Sequence, residues 1–388
     1  MSEQNTNLSY HHAHRFKMKT QVLVEINREE DLKRLYTPGV AEPCKAIAND
    51  LRLTTHYTAK SQTVAVISDG SAVLGLGNIG AYASLPVLES KAALLAHFAG
   101  VSVVPLALNT QDPDRLIEII KSLEPSFGAI FLEDIAAPNC IEIEEKLQQS
   151  LSIPVYHDDQ HGTAIVVLAS LINALKIVNK NKSAVRIVLL GTGAAGSAII
   201  RLLNAYGFTH IDAFNQDGYL FAENQPKDDA YVSWLRSICS INPEINNLEE
   251  AMHGSDVFIG VSKADLITGD MIRSMAQDAI VFPLANPVPE IAYDVALMSG
   301  ARVLGTGSFS HPNQINNLLA FPGLIKAALD SKATQITTAM KITTAETIAA
   351  RVSDEDLHRG QVVPSVFDTG LIEDIATQIT KLVKADLL

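Results

Sequence analysis

The chain has 388 residues, a formal net charge of −13 and 47% hydrophobic residues. This length and apolar content predict a large core divided between two or three domains. The acidic balance, without a long basic run, argues against a protein that binds nucleic acid or a membrane surface. Three widely separated cysteines without a C-x-x-C pair indicate neither a disulfide framework nor a zinc ribbon. The polar N-terminus and the interrupted apolar runs predict neither a signal peptide nor a membrane span, so we expect a cytoplasmic protein.

The first third of the chain alternates predicted strands and helices. Residues 1–20 predict a surface-lying or disordered arm, and residues 21–35 predict a helix that a loop with two prolines ends at Tyr36–Cys44. Short apolar runs then predict strands at 63–67, 101–106 and 128–132, and longer runs predict helices at 86–98 and 114–123. Such alternation predicts a mostly parallel sheet with helices on its faces.

A second series of strands and helices follows. It begins with a long apolar helix from about Thr163 to Val178. A strand at 184–190 then runs into a glycine loop, a helix at 197–206 and a strand at 211–214, and further strands are predicted at 257–261, 280–284 and 302–304. The tail from about Leu324 is predicted to be helical and is long enough to pack back onto the first domain.

Paired acids follow two apolar runs that predict strands. Glu133 and Asp134 follow the predicted strand 128–132, and Asp158 and Asp159 follow the apolar run 152–155. A charge taken out of water without a partner costs several kcal/mol, so adjacent carboxylates at buried strand ends need a reason. A divalent cation held by oxygen ligands is one such reason. For Glu133 and Asp134, a solvated strand end or a helix cap is the alternative.

Two segments match the pattern G-x-G-x-x-G. The copy Gly191–Gly196 lies between a predicted strand and a predicted helix, which is the context of a dinucleotide-binding loop with a pyrophosphate at the helix N-terminus. The copy Gly75–Gly80 lies several residues beyond its strand, so we interpret it as a substrate-side loop, with a purely structural turn as the alternative. Asn215 ends the next strand, where an enzyme that uses NAD usually carries an acid. With no arginine close by to bind a 2′-phosphate, NAD is favoured and NADP is the alternative.

Taken together, these motifs resemble the malic enzymes, and in particular their short bacterial class. The resemblance runs in chain order through Tyr36–Ala41, Ser68–Gly80, Lys91, Glu133-Asp134, His157–Thr163, Asn286-Pro287 and Asn316–Gly323. It implies an α/β protein with a substrate and metal domain built on a parallel or mixed sheet (residues 1–160) and a Rossmann NAD(P)-binding domain (161–320). C-terminal helices (321–388) are expected to complete the first domain. The resemblance also implies a homodimer.

The resemblance implies metal-dependent oxidative decarboxylation of (S)-malate to pyruvate and CO₂, with reduction of NAD or NADP. Glu133, Asp134 and Asp159 are expected to bind Mg²⁺ or Mn²⁺. Lys91 is the expected base, provided that burial and the metal charge lower its pKa. Asp158 is expected to assist Lys91, and Tyr36 to protonate C3 of enolpyruvate. Without the family pattern, Lys91 would more often extend to solvent and Tyr36 would more often be a packed loop residue.

The remaining site residues are assigned from the glycine motifs and from the same resemblance. Cofactor binding is expected from Gly191, Thr192, Gly193, Ala194, Ala195, Gly196, Asn215 and Asn286. Ala72 stands where larger malic enzymes carry an arginine that contacts the substrate carboxylate, so substrate binding is expected from Gly75, Gly77, Asn286 and Asn317. His157 and His161 are expected to be structural, since no further zinc-ligand motif accompanies them.

Other functions fit the sequence less well. A malic-enzyme relative that only decarboxylates oxaloacetate would use the metal without net hydride transfer. The malolactic enzymes rank lower because they are usually longer than this chain. A non-catalytic nucleotide-binding regulator is the alternative outside enzymes, and the joint presence of Tyr36, Lys91 and the three carboxylates argues against it.

Overall fold

The computed structural model describes residues 3–73, 75–223, 225, 229–308 and 310–385. Within these residues it forms an α/β fold with two sheets. The strands are β1 (Thr63–Ser68), β2 (Ser102–Ala107), β3 (Ala129–Leu132), β4 (Val155–His157), β5 (Arg186–Leu190), β6 (His210–Asn215), β7 (Gly218–Tyr219), β8 (Val257–Gly260), β9 (Ile280–Pro283) and β10 (Val303–Leu304).

The helices precede, connect and follow these strands. They are α1 (Glu3–Ala13), α2 (Glu29–Leu35), α3 (Ala41–Asn49), α4 (Thr54–Tyr57), α5 (Gly80–Ala99), α6 (Pro113–Leu123), α7 (Asn139–Ser150), α8 (Asp158–Val178), α9 (Ala194–Tyr206), α10 (Ala230–Ser237), α11 (Leu248–Met252), α12 (Gly269–Ser274), α13 (Tyr293–Met298), α14 (Phe321–Asp330), α15 (Thr338–Ala350), α16 (Asp354–His358) and α17 (Leu371–Ala385).

The first sheet has the strand order β2-β1-β3-β4, and all of its pairings are parallel. Successive side chains of a strand point to opposite faces. Val64 and Val66 therefore pack into a core with residues of α5 and α14, whereas Ala65 and Ile67 pack with residues of α6 and α7. Helices cover both faces of this sheet, which explains why the sequences of its strands are continuous apolar runs.

The second sheet has the order β10-β9-β8-β5-β6-β7, and only the short β7 is antiparallel. Both sheets share a core with α8, most of whose residues are buried. Among the described helices, α8 is the one long and apolar enough to cross a membrane by length and composition, and 72% of that stretch is buried inside the fold. This burial is what a central core helix requires. The predicted domain boundary at residue 160 falls inside α8 and stays a prediction, as does the boundary at 320.

The C-terminal helices return to the first half of the chain, as predicted. α14 packs against α5, α15 packs against α8, and α17 packs against α14 and α15. The buried Asn173 of α8 donates hydrogen bonds from Nδ2 to the carbonyl oxygens of Ala349 (2.9 Å) and Val362 (3.0 Å). These bonds tie the tail to the central helix.

Three predicted helices have different bounds in the structure. The helix predicted at 21–35 covers only Glu29–Leu35, because Val22, Val24 and Ile26 alternate and lack helical spacing. The polar arm instead begins with α1. The helix predicted from Pro86 begins at Gly80 and accommodates the proline in its second turn.

The third correction affects the paired acids directly. The helix predicted from Thr163 begins at Asp158, because the side chain of His157 accepts a hydrogen bond from the Gln160 amide and caps it. Asp158 and Asp159 therefore lie in the first turn of α8, where the helix dipole favours negative charge.

Candidate active site

A cavity of about 610 Å³ lies where the carboxyl ends of β1, β3 and β4 face those of β5, β8 and β9. Ligand sites of parallel sheets usually lie at this edge. The first half of the chain contributes Ala72, Gly75, Lys91, Glu133, Asp134, Ile135, Ala136, Ala137, Asp159 and Thr163. The second half contributes Gly193, Ala194, Ala195, Val261, Ser262, Leu284, Ala285, Asn286, Gly307, Ile315, Asn316 and Asn317.

Lys91 extends from α5 between two carboxylates. Its Nζ lies 2.7 Å from Asp158 Oδ2 and 2.9 Å from Glu133 Oε1, and 4.9 Å from the centre of the Phe321 ring. Burial acts to lower the pKa of Lys91, but Asp158 and Glu133 outweigh it and raise that pKa above its ordinary value. The two carboxylates thus outweigh burial in the protein itself, and the lowering of this pKa by burial and the metal charge together stays a prediction.

Glu133, Asp134 and Asp159 form a cluster of carboxylates beside Lys91. Each offers one oxygen, and the three oxygens lie within 4.8 Å of one another. Burial raises the pKa of Glu133 well above its ordinary value, against the opposing effect of Lys91. Glu133 Oε2 is buried without a hydrogen-bond donor. Clustered carboxylate oxygens, one of them buried and unsatisfied, fit a hard divalent cation such as Mg²⁺ or Mn²⁺.

Backbone hydrogen bonds fix the positions of these carboxylates. Asp134 follows β3 in the left-handed region (φ 55°), and its amide donates a hydrogen bond to Asp159 Oδ2 at 2.8 Å. The amide of Ala72 in turn donates to the carbonyl oxygen of Asp134 at 3.0 Å. The loop after β1, the end of β3 and the start of α8 are thus linked. A non-glycine residue in this conformation is uncommon and often marks a functional site.

Asn317 and Gly162 position Asp158. Asn317 Nδ2 donates to Asp158 Oδ2 at 3.2 Å, and Asn317 Oδ1 accepts a hydrogen bond from Thr163 Oγ1 at 3.2 Å. A Cβ added at Gly162 would lie 2.2 Å from Asp158 Oδ1, so only glycine allows the carboxylate to lie over this turn. Sequence analysis did not identify Thr163 or Gly162 as individual contributors.

A buried network lies behind the first turn of α8. The carboxylate of Glu144 accepts hydrogen bonds from the His157 amide (3.1 Å) and Gln160 Nε2 (3.1 Å), and its Oε2 lies 2.8 Å from His161 Nε2. Lys341 of α15 places Nζ 3.0 Å from His161 Nδ1. The structural role predicted for His157 and His161 agrees with this arrangement.

The charges of this network follow from burial and proximity. Burial acts to raise the pKa of Glu144, but His161 and Lys341 outweigh it and lower that pKa to about 2. Burial lowers the pKa of His161 to about 4, even though Glu144 opposes the shift. Burial also lowers the pKa of Lys341 to about 8. Glu144 is therefore an ionised acceptor beneath the first turn of α8.

Sequence analysis missed Glu144, although a signal exists. Glu144 falls between Cys140 and Leu147 on the apolar face of α7, and all three residues are buried. A carboxylate at helical spacing within an apolar face predicts a buried partner.

The loop Gly191–Gly196 joins β5 to α9 as predicted. Gly191 has φ +103°, and a Cβ at Gly196 would lie 1.8 Å from the Gly191 carbonyl oxygen, so this strand–helix turn requires both glycines. Gly193, which precedes α9, has open space around it, and Ala194 and Ala195 line the cavity. Tyr231 Oη donates a hydrogen bond to the Thr192 carbonyl at 2.5 Å. The first turn of α9 is thus open to an anionic ligand.

Asn215 lies at the end of β6, but its side-chain amide is engaged. Asn215 Nδ2 donates to Gln225 Oε1 at 2.8 Å, and Gln225 Nε2 donates to Asn215 Oδ1 at 2.9 Å. Asn215 Oδ1 also accepts a hydrogen bond from the Asp217 amide at 2.8 Å. The predicted ribose acceptor is therefore tied to Gln225, which sequence analysis did not identify.

Of the other predicted site residues, the structure places some in the cavity and others outside it. Gly75 lines the cavity, and a Cβ there would lie 2.5 Å from the Asn286 carbonyl oxygen, so the loop approaches the second sheet closely. Gly77 is exposed and does not line the cavity; its carbonyl accepts a hydrogen bond from the Val73 amide. Tyr36 is 71% exposed at the end of α2 and does not line the cavity either.

Known proteins share this arrangement over almost the whole chain. The family model for the malic enzyme N-terminal domain matches residues 13–148, and the model for the malic enzyme NAD-binding domain matches residues 160–386. The chain belongs to the malic enzyme family. The predicted α/β fold, the Rossmann-like NAD-binding domain and the metal-dependent malic enzyme chemistry are thereby confirmed at the level of the family.

Individual malic enzymes are similar to this chain over most of its length. The bifunctional malic/malolactic enzyme of Bacillus subtilis is 45% identical, over 98% of this chain and 93% of the relative. The NAD-dependent malic enzyme of Geobacillus stearothermophilus is 44% identical, over 94% of this chain and 76% of the relative. The solved structure of the NAD-dependent malic enzyme of Thermotoga maritima superimposes with a TM-score of 0.91 and 42% sequence identity. The match covers 96% of this chain and 98% of the Thermotoga chain. The NADP-dependent malic enzyme of Rhizobium meliloti is 40% identical over 91% of this chain, which corresponds to only 48% of the relative.

Truncating Glu144 should destabilise the protein strongly. In Glu144→Ala, the buried donors of His157, Gln160 and His161 lose their acceptor, and we expect the free energy of unfolding to fall by about 3–5 kcal/mol. Chemical denaturation followed by circular dichroism measures this change. The matched control is Glu142→Ala, which removes an exposed carboxylate of the same helix and should change stability by less than about 0.5 kcal/mol. Equal effects of the two substitutions would contradict the role given to Glu144.

Proposed function

We propose that this malic enzyme family member oxidises (S)-malate and decarboxylates it to pyruvate and CO₂, with NAD as the preferred cofactor and NADP as the alternative. The observation that carries the proposal is the buried ion cluster of Lys91, Asp158 and Glu133. It adjoins a three-carboxylate site in a cavity that also reaches the dinucleotide loop. We further propose that the enzyme is cytoplasmic and acts as a homodimer.

Two groups of residues would hold the cation and the cofactor. Glu133, Asp134 and Asp159 would bind Mg²⁺ or Mn²⁺, which supplies polarisation of the C2 oxygen of the substrate. The first turn of α9 after Gly193 would bind the pyrophosphate of the dinucleotide, whose nicotinamide supplies the hydride acceptor. Asn286 lines the cavity between these two groups, where it would contact the substrate or the nicotinamide ribose.

Side chains of the protein would move the protons. Lys91 Nζ would accept the proton of the C2 hydroxyl, and Asp158 would hold Nζ in place through the 2.7 Å hydrogen bond. Glu133 raises the pKa of Lys91 in the structure. A divalent cation held by Glu133 would offset the negative charge of this carboxylate and would thereby lower the pKa of Lys91 toward the range that a base requires. Tyr36 would donate a proton to C3 after CO₂ leaves.

Conversion of malate to lactate is the second candidate. It is favoured by the Bacillus subtilis relative, which is named a malic/malolactic enzyme and aligns over 93% of its own length. The usual length of malolactic enzymes is therefore no argument against this activity here. The two reactions differ in their product, so one assay separates them.

The test combines (S)-malate, Mn²⁺ and either NAD or NADP with the purified protein, and follows absorbance at 340 nm, pyruvate and lactate. We expect reduced cofactor and pyruvate in equal amounts, with a faster rate for NAD and no reaction in the presence of EDTA. Lactate without net cofactor reduction would favour the second candidate. A parallel assay supplies oxaloacetate as the substrate, and its loss without oxidation of malate would indicate a decarboxylase. Inactivity toward both malate and oxaloacetate would contradict the enzymatic proposal.

Lys91→Ala tests the assignment of the base. We expect kcat to fall at least about hundredfold, because the substrate hydroxyl loses its proton acceptor. Lys121→Ala is the matched control, since Lys121 is an exposed lysine on α6 and should retain full activity. Circular dichroism checks that both variants are folded. A folded Lys91→Ala variant with normal kcat would remove Lys91 from the mechanism.

Asn215→Asp should strengthen the preference for NAD. A carboxylate at this position accepts hydrogen bonds from ribose hydroxyls and repels a 2′-phosphate, so the ratio of kcat/KM for NAD over NADP should rise by about tenfold or more. Asn246→Asp adds the same charge at an exposed position and should leave the ratio unchanged. An unchanged ratio in Asn215→Asp would show that β6 does not set the cofactor preference.

A further inference from the structure

Arg201 lies between the two halves of the proposed site. It belongs to α9, about two turns after Ala194, which begins this helix and lines the cavity beside the dinucleotide loop. Its Nη2 donates a hydrogen bond to Gln160 Oε1 at 3.2 Å. Gln160 directly follows Asp159, one of the three clustered carboxylates. One side chain thus joins the helix of the proposed cofactor site to the turn of the proposed metal site.

Gln160 is held at both ends of its side-chain amide. It is fully buried in the first turn of α8. Its Nε2 donates to Glu144 Oε2 at 3.1 Å, and its Oε1 accepts from Arg201. Within the part of the chain that the structure describes, Arg201 is the one donor to this oxygen. A buried amide oxygen that loses its donor is costly, so the orientation of Gln160 depends on where α9 places Arg201.

Aromatic side chains of α10 hold the guanidinium of Arg201. Its Cζ lies 5.3 Å from the centre of the Trp234 ring, within the range of cation–π attraction. The Trp234 ring stacks on the ring of Tyr231, with 5.6 Å between the centres and 25° between the planes. Glu145 lies 3.6 Å from Arg201 Nη1, but its side chain is 54% exposed, and an exposed ion pair contributes little. The aromatic pair and Gln160 therefore fix the position of Arg201.

Tyr231 continues these contacts to the dinucleotide loop. Its Oη donates to the Thr192 carbonyl at 2.5 Å. Burial raises the pKa of Tyr231 to about 12, so the hydroxyl keeps its proton at neutral pH. The C=O and N–H groups of a trans peptide point in opposite directions, so this bond directs the Gly193 amide away from Tyr231. Because Gly193 lines the cavity, Tyr231 orients an amide at the place proposed for the pyrophosphate.

These contacts form a continuous path, which we call the bridge and define as Gln160, Arg201, Trp234 and Tyr231. It runs from the first turn of α8 to the dinucleotide loop. None of these four residues lines the cavity, so a ligand in the cavity acts on the bridge only through its two ends. Chains of packed side chains and hydrogen bonds of this kind can carry energetic coupling between two sites.

We propose that Arg201 is a positioning residue through which the dinucleotide and the divalent cation bind with positive cooperativity. Either ligand orders its own end of the bridge, so the second ligand meets a site that is already ordered and binds more tightly. Linkage makes the effect reciprocal, because NAD must strengthen Mn²⁺ binding by the factor by which Mn²⁺ strengthens NAD binding. The inference rests on the proposed function, since it takes the three carboxylates to bind the cation and the loop after β5 to bind the cofactor.

Calorimetric titration of the purified protein with Mn²⁺, with and without saturating NAD and always without malate, measures this cooperativity. The Kd of the wild-type protein for Mn²⁺ should fall by at least about fivefold when NAD is present. Arg201→Met removes the donor to Gln160 but keeps a long unbranched side chain, and the ratio of its two Kd values should lie within about twofold of one. Tyr231→Phe removes one hydroxyl at the other end of the bridge and should lower the ratio in the same way.

Arg273→Met is the matched control, because Arg273 is an exposed arginine of α12. Its Kd ratio should equal that of the wild-type protein, and circular dichroism checks that every variant is folded. Trp234 is the single tryptophan of the chain and supplies a second measurement. Mg²⁺ added without cofactor should change the fluorescence of Trp234 in the wild-type protein and in the control, but not in Arg201→Met.

Two results would overturn the inference. One is a Kd ratio near one for the wild-type protein, and the other is the full wild-type ratio retained in Arg201→Met or Tyr231→Phe. Failure of the proposed function is distinguishable, because the titrations contain no malate. A wild-type protein that binds Mn²⁺ and NAD cooperatively but does not oxidise malate would contradict the proposed function and support the bridge. A protein that binds neither ligand would contradict both.

Discussion

The structure around the cavity depends on one buried cluster of charges. Lys91 is held between Asp158 and Glu133 at hydrogen-bond distances, and two further carboxylates lie beside it. A buried lysine without these acids would lose its proton, and buried acids without compensation would gain protons. One lysine does not balance this many carboxylates, so the site retains an excess of negative charge. A divalent cation is the natural complement of that excess.

The fold supplies this cluster through parallel strands and one helix terminus. β3 ends at Glu133 and Asp134, and β4 leads directly into α8, so both acidic pairs meet at one edge of the sheet. Asp158 and Asp159 gain the favourable field of the α8 N-terminus, and Glu144 holds the same turn from behind. The second sheet covers the cavity with its dinucleotide loop. The residues proposed to bind the metal, the base and the cofactor are therefore held by the same few strand ends and helix termini.

Much of this could be predicted from the sequence, for identifiable reasons. Paired acids after buried strands and glycines between a strand and a helix are local patterns with a direct physical meaning. The start of α8 was predicted five residues late, because a histidine cap before two acids looks like a loop. The Asn215–Gln225 pair was not predicted, since it joins residues across a turn without periodicity. The placement of Tyr36 outside the cavity depends on tertiary contacts, which no local pattern encodes.

The central claim is that Glu133, Asp134 and Asp159 bind a catalytic divalent cation. Calorimetric titration of the purified protein with Mn²⁺ tests it most directly, with Asp159→Asn as the variant and Glu142→Gln as a control at an exposed carboxylate. The account predicts one Mn²⁺ per chain for the wild type and the control, and binding weakened by at least about tenfold in Asp159→Asn. Equally tight binding by Asp159→Asn and the wild-type protein would contradict the account.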